Sequence, residues 1–304
     1  MPKKQKILII VGPTSSGKSA LAVELARKFD GEVISADSRQ VYRGLDIGTG
    51  KITRREMKGV RHHLLDVVPP RRVFTAHNFV EQGQRAIKDI AAREKLPIIA
   101  GGSGFYIDAL LGHIALPNVS PNPKLRAKLE QKSVTRLLAL LKKKDPRRAK
   151  TIEPHNKRRL IRALEIVSAL GKVPAYSGFV NPNFANFDIL WIGMTLQSKV
   201  IDKKIRRRLL ARMRQGMVEE TRRLHKAGLT YRRMEQLGLE YRAIARYLQG
   251  KISRDQMIDE LNRDIRRYAK RQLAYWKRNK DIHWFDPGEK VKIRNIVQKF
   301  VSGR

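Results

Sequence analysis

The sequence predicts an α/β fold: a P-loop-type, doubly wound parallel sheet carrying a helical insertion domain. Three observations predict it. Short apolar runs alternate with stretches of helical periodicity through the first third of the chain. The segment GPTSSGKS, residues 12–19, lies between one such run and one such helix. A proline-rich break near Pro117 then opens a basic, helical stretch, after which a strand-like run returns.

In chain order, Lys6–Val11, Glu32–Ser35, Leu64–Val68, Leu96–Ala100 and Ile189–Gly193 read as buried strands. Helical periodicity lies between the first four, as in Ala76–Arg93, where Phe79, Ala86, Ile87 and Ile90 make the apolar face. Strands alternating with helices imply a mostly parallel, doubly wound sheet. LPNVSPNPKLR reads as a linker. Beyond it Leu125–Lys132, Val134–Lys144 and Asn156–Leu170 are helical and basic, to about Gly178. From Ser198 to Asn279 the chain is again helical and strongly basic. The expected organisation is a discontinuous core, residues 1–117 and 188–304, interrupted by a helical insertion at 118–187.

The loop has the spacing of a phosphate loop: glycine, four residues, then glycine-lysine-serine. Gly12 and Gly17 permit backbone conformations that a side chain would obstruct. Pro13, Thr14, Ser15 and Ser16 complete the turn, whose amides and helix N-terminus would face an anion. Lys18 would add a point charge and the Ser19 hydroxyl would bind Mg²⁺. A plain glycine turn is the bland alternative, which the strand and helix flanks disfavour. The motif points to a polyphosphate without saying whose.

Composition narrows the classes. The chain has 304 residues with 41% hydrophobic content, enough for a sizeable core and too much for a disordered chain. No apolar run approaches the roughly 20 residues that span a bilayer. The start, Met1 to Lys6, runs straight into the first strand, so no signal peptide is expected. There is no cysteine, which excludes disulfides and thiol chemistry and is compatible with a cytoplasmic location. Lys and Arg number 65 against 28 Asp and Glu, a net charge of +37. Such a field favours a polyanion, most simply nucleic acid, although general solubility would also use it.

Two further segments follow strands. VISADSRQVYRG, residues 33–44, places Asp37, Ser38, Arg39 and Gln40 where the ligand crevice of an open α/β sheet forms. Asp37 fits a base or a magnesium contact there, and a local capping role equally well. PIIAGGSGFYIDALL, residues 97–111, brings a second glycine loop with the Ser103 hydroxyl, or merely a tight turn. His62-His63 resembles a metal pair but lacks a third ligand at helix spacing, which favours a hydrogen-bonding role. Basic clusters occur at Arg147-Arg148, Lys157–Arg162, Lys203–Arg214 and Arg263–Arg271. Within NKRRLIRALEIV, Leu160, Ile161, Leu164 and Ile166 form a buried stripe while Arg158, Arg159 and Arg162 face elsewhere, a pattern suited to phosphates.

Together GPTSSGKS, DSRQVYRGLDIGT, HHLLD, GGSGFYIDALL, RRLIRALEI and YAKRQLAYWKR resemble the tRNA dimethylallyltransferase family, from about Leu8 to Phe285. The resemblance implies transfer of a dimethylallyl group from dimethylallyl diphosphate to an exocyclic adenine amine beside the tRNA anticodon, with Mg²⁺. It implies that residues 12–19 hold an isoprenoid diphosphate, reached also by Arg208. It implies that Asp37 is the general base and that Ser103 touches the target nucleotide. Asp37–Gln40, Arg126 and Arg158–Arg162, including Leu160 and Ile161, match its tRNA-contacting segments. The expected partners are therefore the tRNA anticodon stem-loop and dimethylallyl diphosphate, with no membrane and a monomeric chain. An unstacked adenine is expected in the crevice. The chain departs from the pattern in four places: Ser19 and Ser103 replace commoner threonines, GTGKI stands where GTAKP is usual, and QLGLEYRAI replaces AIGYKE. The absence of cysteine removes the zinc finger of eukaryotic relatives, which points to a bacterial type.

Two rivals differ in class. An adenylate isopentenyltransferase would share the loop but has no use for a basic insertion. A nucleic-acid-dependent ATPase or kinase would need a strand ending in a magnesium-binding acid, for which Leu64-Leu65-Asp66 is a short candidate.

Overall fold

The computed structural model describes residues 4–114, 116–174 and 187–303. Met1 to Lys3, and Gly178 at the end of the insertion's expected helical stretch, lie outside them. By internal contacts the chain divides into two compact units: Met1–Leu111 with Asn181–Arg304, and Gly112–Val180.

The first unit is built on six parallel strands, β1 (Gln5–Val11), β2 (Gly31–Ala36), β3 (His62–His63), β4 (Leu96–Gly101), β5 (Phe187–Met194) and β6 (Ile282–Phe285). Their order is β3-β2-β4-β1-β5-β6. The unbroken apolar runs follow from burial on both faces. In β1, Ile7, Ile9 and Val11 join Phe79, Ile87 and Ile90 of helix Ala76–Ala92 and Trp276 of helix Arg254–Trp276. The alternating Leu8 and Ile10 join Leu21, Ala22 and Leu25 of helix Lys18–Lys28 and Ile293 and Val297 of helix Lys290–Ser302. Helices on both faces make the sheet doubly wound, and they leave the C-terminal strand ends to the loops. The C-terminal helices Ser198–Arg214, Leu239–Leu248 and Arg254–Trp276 share a further cluster around Ile205, Leu209, Ile244 and Leu261.

Two strand expectations need correction. The strand expected at Leu64–Val68 is instead the two-residue β3 just before it, with only an isolated bridge from Tyr42 to Val68. Leu64 (φ 63°) and Asp66 (φ 55°) are left-handed, which breaks an extended run despite its apolar residues. Strand β6 was not expected. Its four residues include His283 and Trp284, and only pairing with β5, from Trp191↔Ile282 to Met194↔Phe285, makes them a strand.

The second unit contains helices Pro123–Glu130, Val134–Lys144, Pro146–Thr151 and Lys157–Leu170 around Leu129, Leu137, Leu141, Leu160 and Leu164. Each starts at a side chain suited to the task. Asn122, Ser133, Asp145 and Asn156 accept the amides of Leu125, Arg136, Arg148 and Arg159, satisfying one orphan donor per helix.

Candidate active site

The crevice forms where β1, β2 and β4 end. Beyond β1, Gly12 adopts φ 139°, and a Cβ there would sit 2.4 Å from the Met194 carbonyl oxygen of β5, so the turn requires glycine. Ser16 donates its amide to Pro13 O at 3.3 Å. Lys18 donates Nζ back to the same carbonyl at 2.6 Å, closing the loop on itself. Gly17 caps the following helix in the left-handed conformation, and the amides of Lys18 and Ser19 have no acceptor within that helix. The Ser16 hydroxyl is buried and lacks a hydrogen-bond partner among the described residues. A buried hydroxyl left so costs about 1–3 kcal/mol, a deficit that an anion's oxygens would remove.

Beyond β2, Asp37 accepts the Arg39 amide at 2.8 Å and the Gln40 amide at 3.4 Å, both through Oδ1. These bonds close a local turn and no helix starts there, so Asp37 is not a helix cap, and Asp37 also lines a cavity. Gln40 accepts from Ser35 Oγ at 3.5 Å. Beyond β4, Ser103 Oγ accepts the Ser38 amide at 3.1 Å, and the Ser103 amide donates to Ala36 O at 3.2 Å. The two loops are thus fastened to each other.

Helix Arg254–Trp276 closes the crevice. Gln272, almost fully buried, accepts the Thr14 amide at 2.8 Å and donates to Gly102 O at 3.0 Å, clamping the phosphate loop to the second glycine loop. Tyr268 shares a hydrogen bond with Ser103, and burial, then the nearby Asp37 charge, push its phenol up to about 12. A cavity of about 190 Å³ opens between these groups. Thr14, Ser15, Asp37, Ser38 and Arg39 line one side, and the apolar side chains of Ile205, Leu209, Leu237, Leu239 and Ile265 another.

Cations crowd the cavity and the loop beside it. Lys18 is lowered to about 7, first by burial and then by Arg208. Arg208 is exposed by surface area, yet its guanidinium is crowded among the cavity groups, and that desolvation, then Arg212, draws it down to about 10. These cations repel one another, so a polyanion placed among them is attracted by all of them.

Ser19 is exposed at the helix start, and no group of three or more His, Cys, Asp or Glu suited to a metal occurs among the described residues. A single protein hydroxyl fits Mg²⁺, which is commonly held by one or two protein oxygens together with phosphates and water.

The segment GTGKI is organised from below by Glu220. This buried carboxylate accepts the amides of Asp46 (3.0 Å), Ile47 (2.7 Å) and Gly48 (3.0 Å) and the Tyr241 hydroxyl (2.9 Å). The histidines serve hydrogen bonding: His62 Nδ1 meets Val60 O at 2.9 Å and His63 Nε2 meets Glu32 at 2.6 Å.

In the second unit Arg126 and Arg162 meet on one carboxylate. Arg126 forms a two-pronged pair with Glu165 at 2.9 and 2.8 Å, and Arg162 donates to Glu165 at 2.6 Å and to Val119 O at 2.9 Å. Burial alone would raise the Glu165 pKa, but the bonds from Arg126, the Asn122 amide and Arg162 outweigh it and bring it to about 2. Arg158 and Arg159 are exposed, with Glu153 at 3.4 Å from Arg159. Leu160 and Ile161 are 0% and 4% exposed within the helical core, the buried stripe expected of them. Sequence reasoning missed Gln272, Tyr268, Arg212 and Glu240. The first two lay inside the quoted YAKRQLAYWKR, without an assigned role.

Residues 40–279 match the IPP transferase family. A tRNA dimethylallyltransferase of Thermomicrobium roseum is 40% identical over 98% of this chain and 92% of its own length. The enzyme of the same name from Carboxydothermus hydrogenoformans is 38% identical over 98% and 97%. Among solved structures, the full-length tRNA isopentenylpyrophosphate transferase of Bacillus halodurans superposes with a TM-score of 0.74 at 35% identity, covering 99% of this chain and 98% of that one. A eukaryotic dimethylallyltransferase acting on tRNA gives 0.80 at 26% identity, covering 99% and 80%. The chain belongs to the IPP transferase family.

Proposed function

We propose that the protein transfers a dimethylallyl group from dimethylallyl diphosphate to the exocyclic amine of the adenosine adjoining the anticodon of tRNA on its 3′ side, releasing diphosphate. The observation that carries the reading is a cavity lined by loop residues Thr14 and Ser15, by the Asp37 carboxylate, one of whose oxygens has no hydrogen bond among the described residues, and by an apolar wall. The adenine nitrogen attacks the allylic carbon, the carbon–oxygen bond breaks, and its electron pair leaves with the diphosphate. Asp37 Oδ2 takes the proton lost by the amine. Lys18, Arg208 and the loop amides face the charge that grows on the leaving group. Ile205, Leu209 and Ile265 receive the dimethylallyl chain and exclude water. Mg²⁺, held by Ser19 with the diphosphate oxygens, would neutralise part of the same charge. Ser38, Arg39, Gln40 and Ser103 hold the flipped adenosine, while Arg126, Arg158, Arg159 and Arg162 serve the anticodon stem-loop. A monomeric, cytoplasmic enzyme completes the reading. No helix among the described residues is long and apolar enough to cross a membrane.

The test combines purified protein, unmodified tRNA and labelled dimethylallyl diphosphate with mass analysis of the tRNA nucleosides. A labelled, mass-shifted adenosine next to the anticodon is expected, and ATP should neither bind well nor be hydrolysed. Tight ATP binding with tRNA-stimulated phosphate release would instead restore the ATPase reading.

A further inference from the structure

Arg212 is the cavity cation that the proposed chemistry leaves unused. It is 8% exposed, projects from helix Ser198–Arg214 one turn beyond Arg208, and donates Nη1 to Gly48 O at 3.3 Å and to Glu240 at 3.4 Å. Arg208 donates Nη2 to Gly50 O at 3.1 Å. Both guanidiniums therefore rest on the backbone of residues 48–50. Gly50 has φ 58°, and a Cβ there would lie 1.8 Å from Arg212 Nη2 and 2.5 Å from Arg208 Nη2. No L side chain fits without displacing both.

The loop beneath them is held by Glu220, which takes the amides of Asp46, Ile47 and Gly48. The Asp46 and Ile47 carbonyls accept the Lys51 and Gly50 amides, and those of Gly48 and Gly50 are left to the arginines. Two cations on one short loop repel, and a buried cation without a counter-ion is costly. Glu240 supplies the counter-charge to Arg212, which lets Arg212 stand beside Arg208 without an anion between them. These contacts bring together Gly50 of GTGKI and Glu240 of QLGLEYRAI, residues 190 positions apart in the chain.

We propose that Arg212, paired with Glu240 and seated against Gly50, is a positioning residue that sets the Arg208 guanidinium facing the diphosphate, with Gly50 the position that admits both. The inference rests on Arg208 serving the diphosphate. Arg212 acts by occupying space and charge beside Arg208, so its removal misplaces a diphosphate contact and leaves the tRNA contacts alone.

Steady-state kinetics in both substrates, on the full chain, tests this. Gly50→Ala, Arg212→Met, their combination, Glu240→Gln and Arg208→Ala are compared, with thermal unfolding of each variant as a folding control. Gly50→Ala should raise KM for dimethylallyl diphosphate about tenfold, the loss expected from one misplaced charge-assisted bond, while KM for tRNA stays unchanged. Glu240→Gln, which keeps shape and removes charge, should raise the same KM several-fold. The two substitutions on one unit must be non-additive: in the Arg212→Met background Gly50→Ala should cost less than it does alone, since the clashing guanidinium is gone. Strict additivity, or equal rises in both KM values, overturns the inference while an Arg208→Ala rise keeps the diphosphate reading intact. An unchanged diphosphate KM in Arg208→Ala overturns both.

Discussion

Each unit of the molecule sets two arginines beside a buried glutamate, and the two arrangements reach opposite ends. In the insertion Glu165 meets Arg126 with both oxygens and Arg162 with one, and its pKa falls to about 2. Its negative charge is spent on fixing them. In the core Glu240 pairs with Arg212, at 3.4 Å, and is raised above the usual carboxylate range, by burial first. Arg208 and Lys18 have no carboxylate partner among the described residues and are both lowered. Positive charge left unneutralised in a crowded cavity is what a polyanionic substrate recognises. Positive charge already matched by a carboxylate has been used to shape a surface.

The sharpest way to break this comparison is at Asp37, the cavity's other carboxylate. Asp37→Asn keeps the shape and the acceptor for the Arg39 amide but loses the basic oxygen, so turnover should fall by about 10²-fold or more. tRNA affinity should hardly change. Near-normal turnover in a single-turnover assay would reduce Asp37 to a turn-forming residue.

Next in size is Lys18. Lys18→Ala should lower turnover by about 10-fold to 10²-fold and weaken dimethylallyl diphosphate binding by less, because the lysine meets more charge as diphosphate leaves. The free enzyme holds Lys18 at about 7, and a bound anion raises it. Binding at pH 8 should therefore take up part of a proton, and affinity should fall as pH rises above 7. Calorimetry in two buffers of different ionisation heat reads this uptake directly. An uptake that persists in Lys18→Ala would assign it elsewhere.

The insertion should respond through salt. Replacing the exposed Arg158 and Arg159 with Ala should reduce the slope of log affinity for tRNA against log salt by about two, one per phosphate contact. Replacing the carboxylate-bound Arg126 and Arg162 should reduce it less per residue and lower the unfolding midpoint as well. Equal slope losses without a stability change would erase the distinction between the two units.

The smallest effect is on acid stability. The Glu165 pKa is depressed in the folded chain, so its stabilisation is present above the ordinary carboxylate value of 4.5 and is lost as pH falls toward about 2. Amide exchange in helix Lys157–Leu170 should accelerate across that window. In Glu165→Gln exchange should already be faster at neutral pH and depend less on acid. An identical acid response in both proteins would remove Glu165 from the account.

Much of the core was legible in the sequence because the determining interactions are local. The β1 run followed by GPTSSGKS carries its own phosphate-loop geometry, since glycine conformations and amide directions depend on neighbouring residues alone. Three of the insertion's helices were legible from their apolar spacing, whereas the short helix Pro146–Thr151 and the caps Asn122, Ser133, Asp145 and Asn156 emerged only in the structure. The strand misplaced at Leu64–Val68 shows the limit: apolar content cannot report the positive φ angles of Leu64 and Asp66, which arise from how the chain turns there.

By itself, then, the sequence determined the parallel α/β core, the glycine-rich loop after β1, the basic insertion and the identity of Asp37 as a candidate base. Tertiary structure alone decided that Gln272, 258 residues from Thr14, clamps the phosphate loop. It alone decided that Arg126 and Arg162 share Glu165, and that Arg212 rests on Gly50. The physical reason is range. Periodicity, turn chemistry and helix caps act over a few residues, and a sequence displays them in order. Hydrogen bonds and ion pairs between distant segments depend on which strands and helices become neighbours, and no local pattern records that.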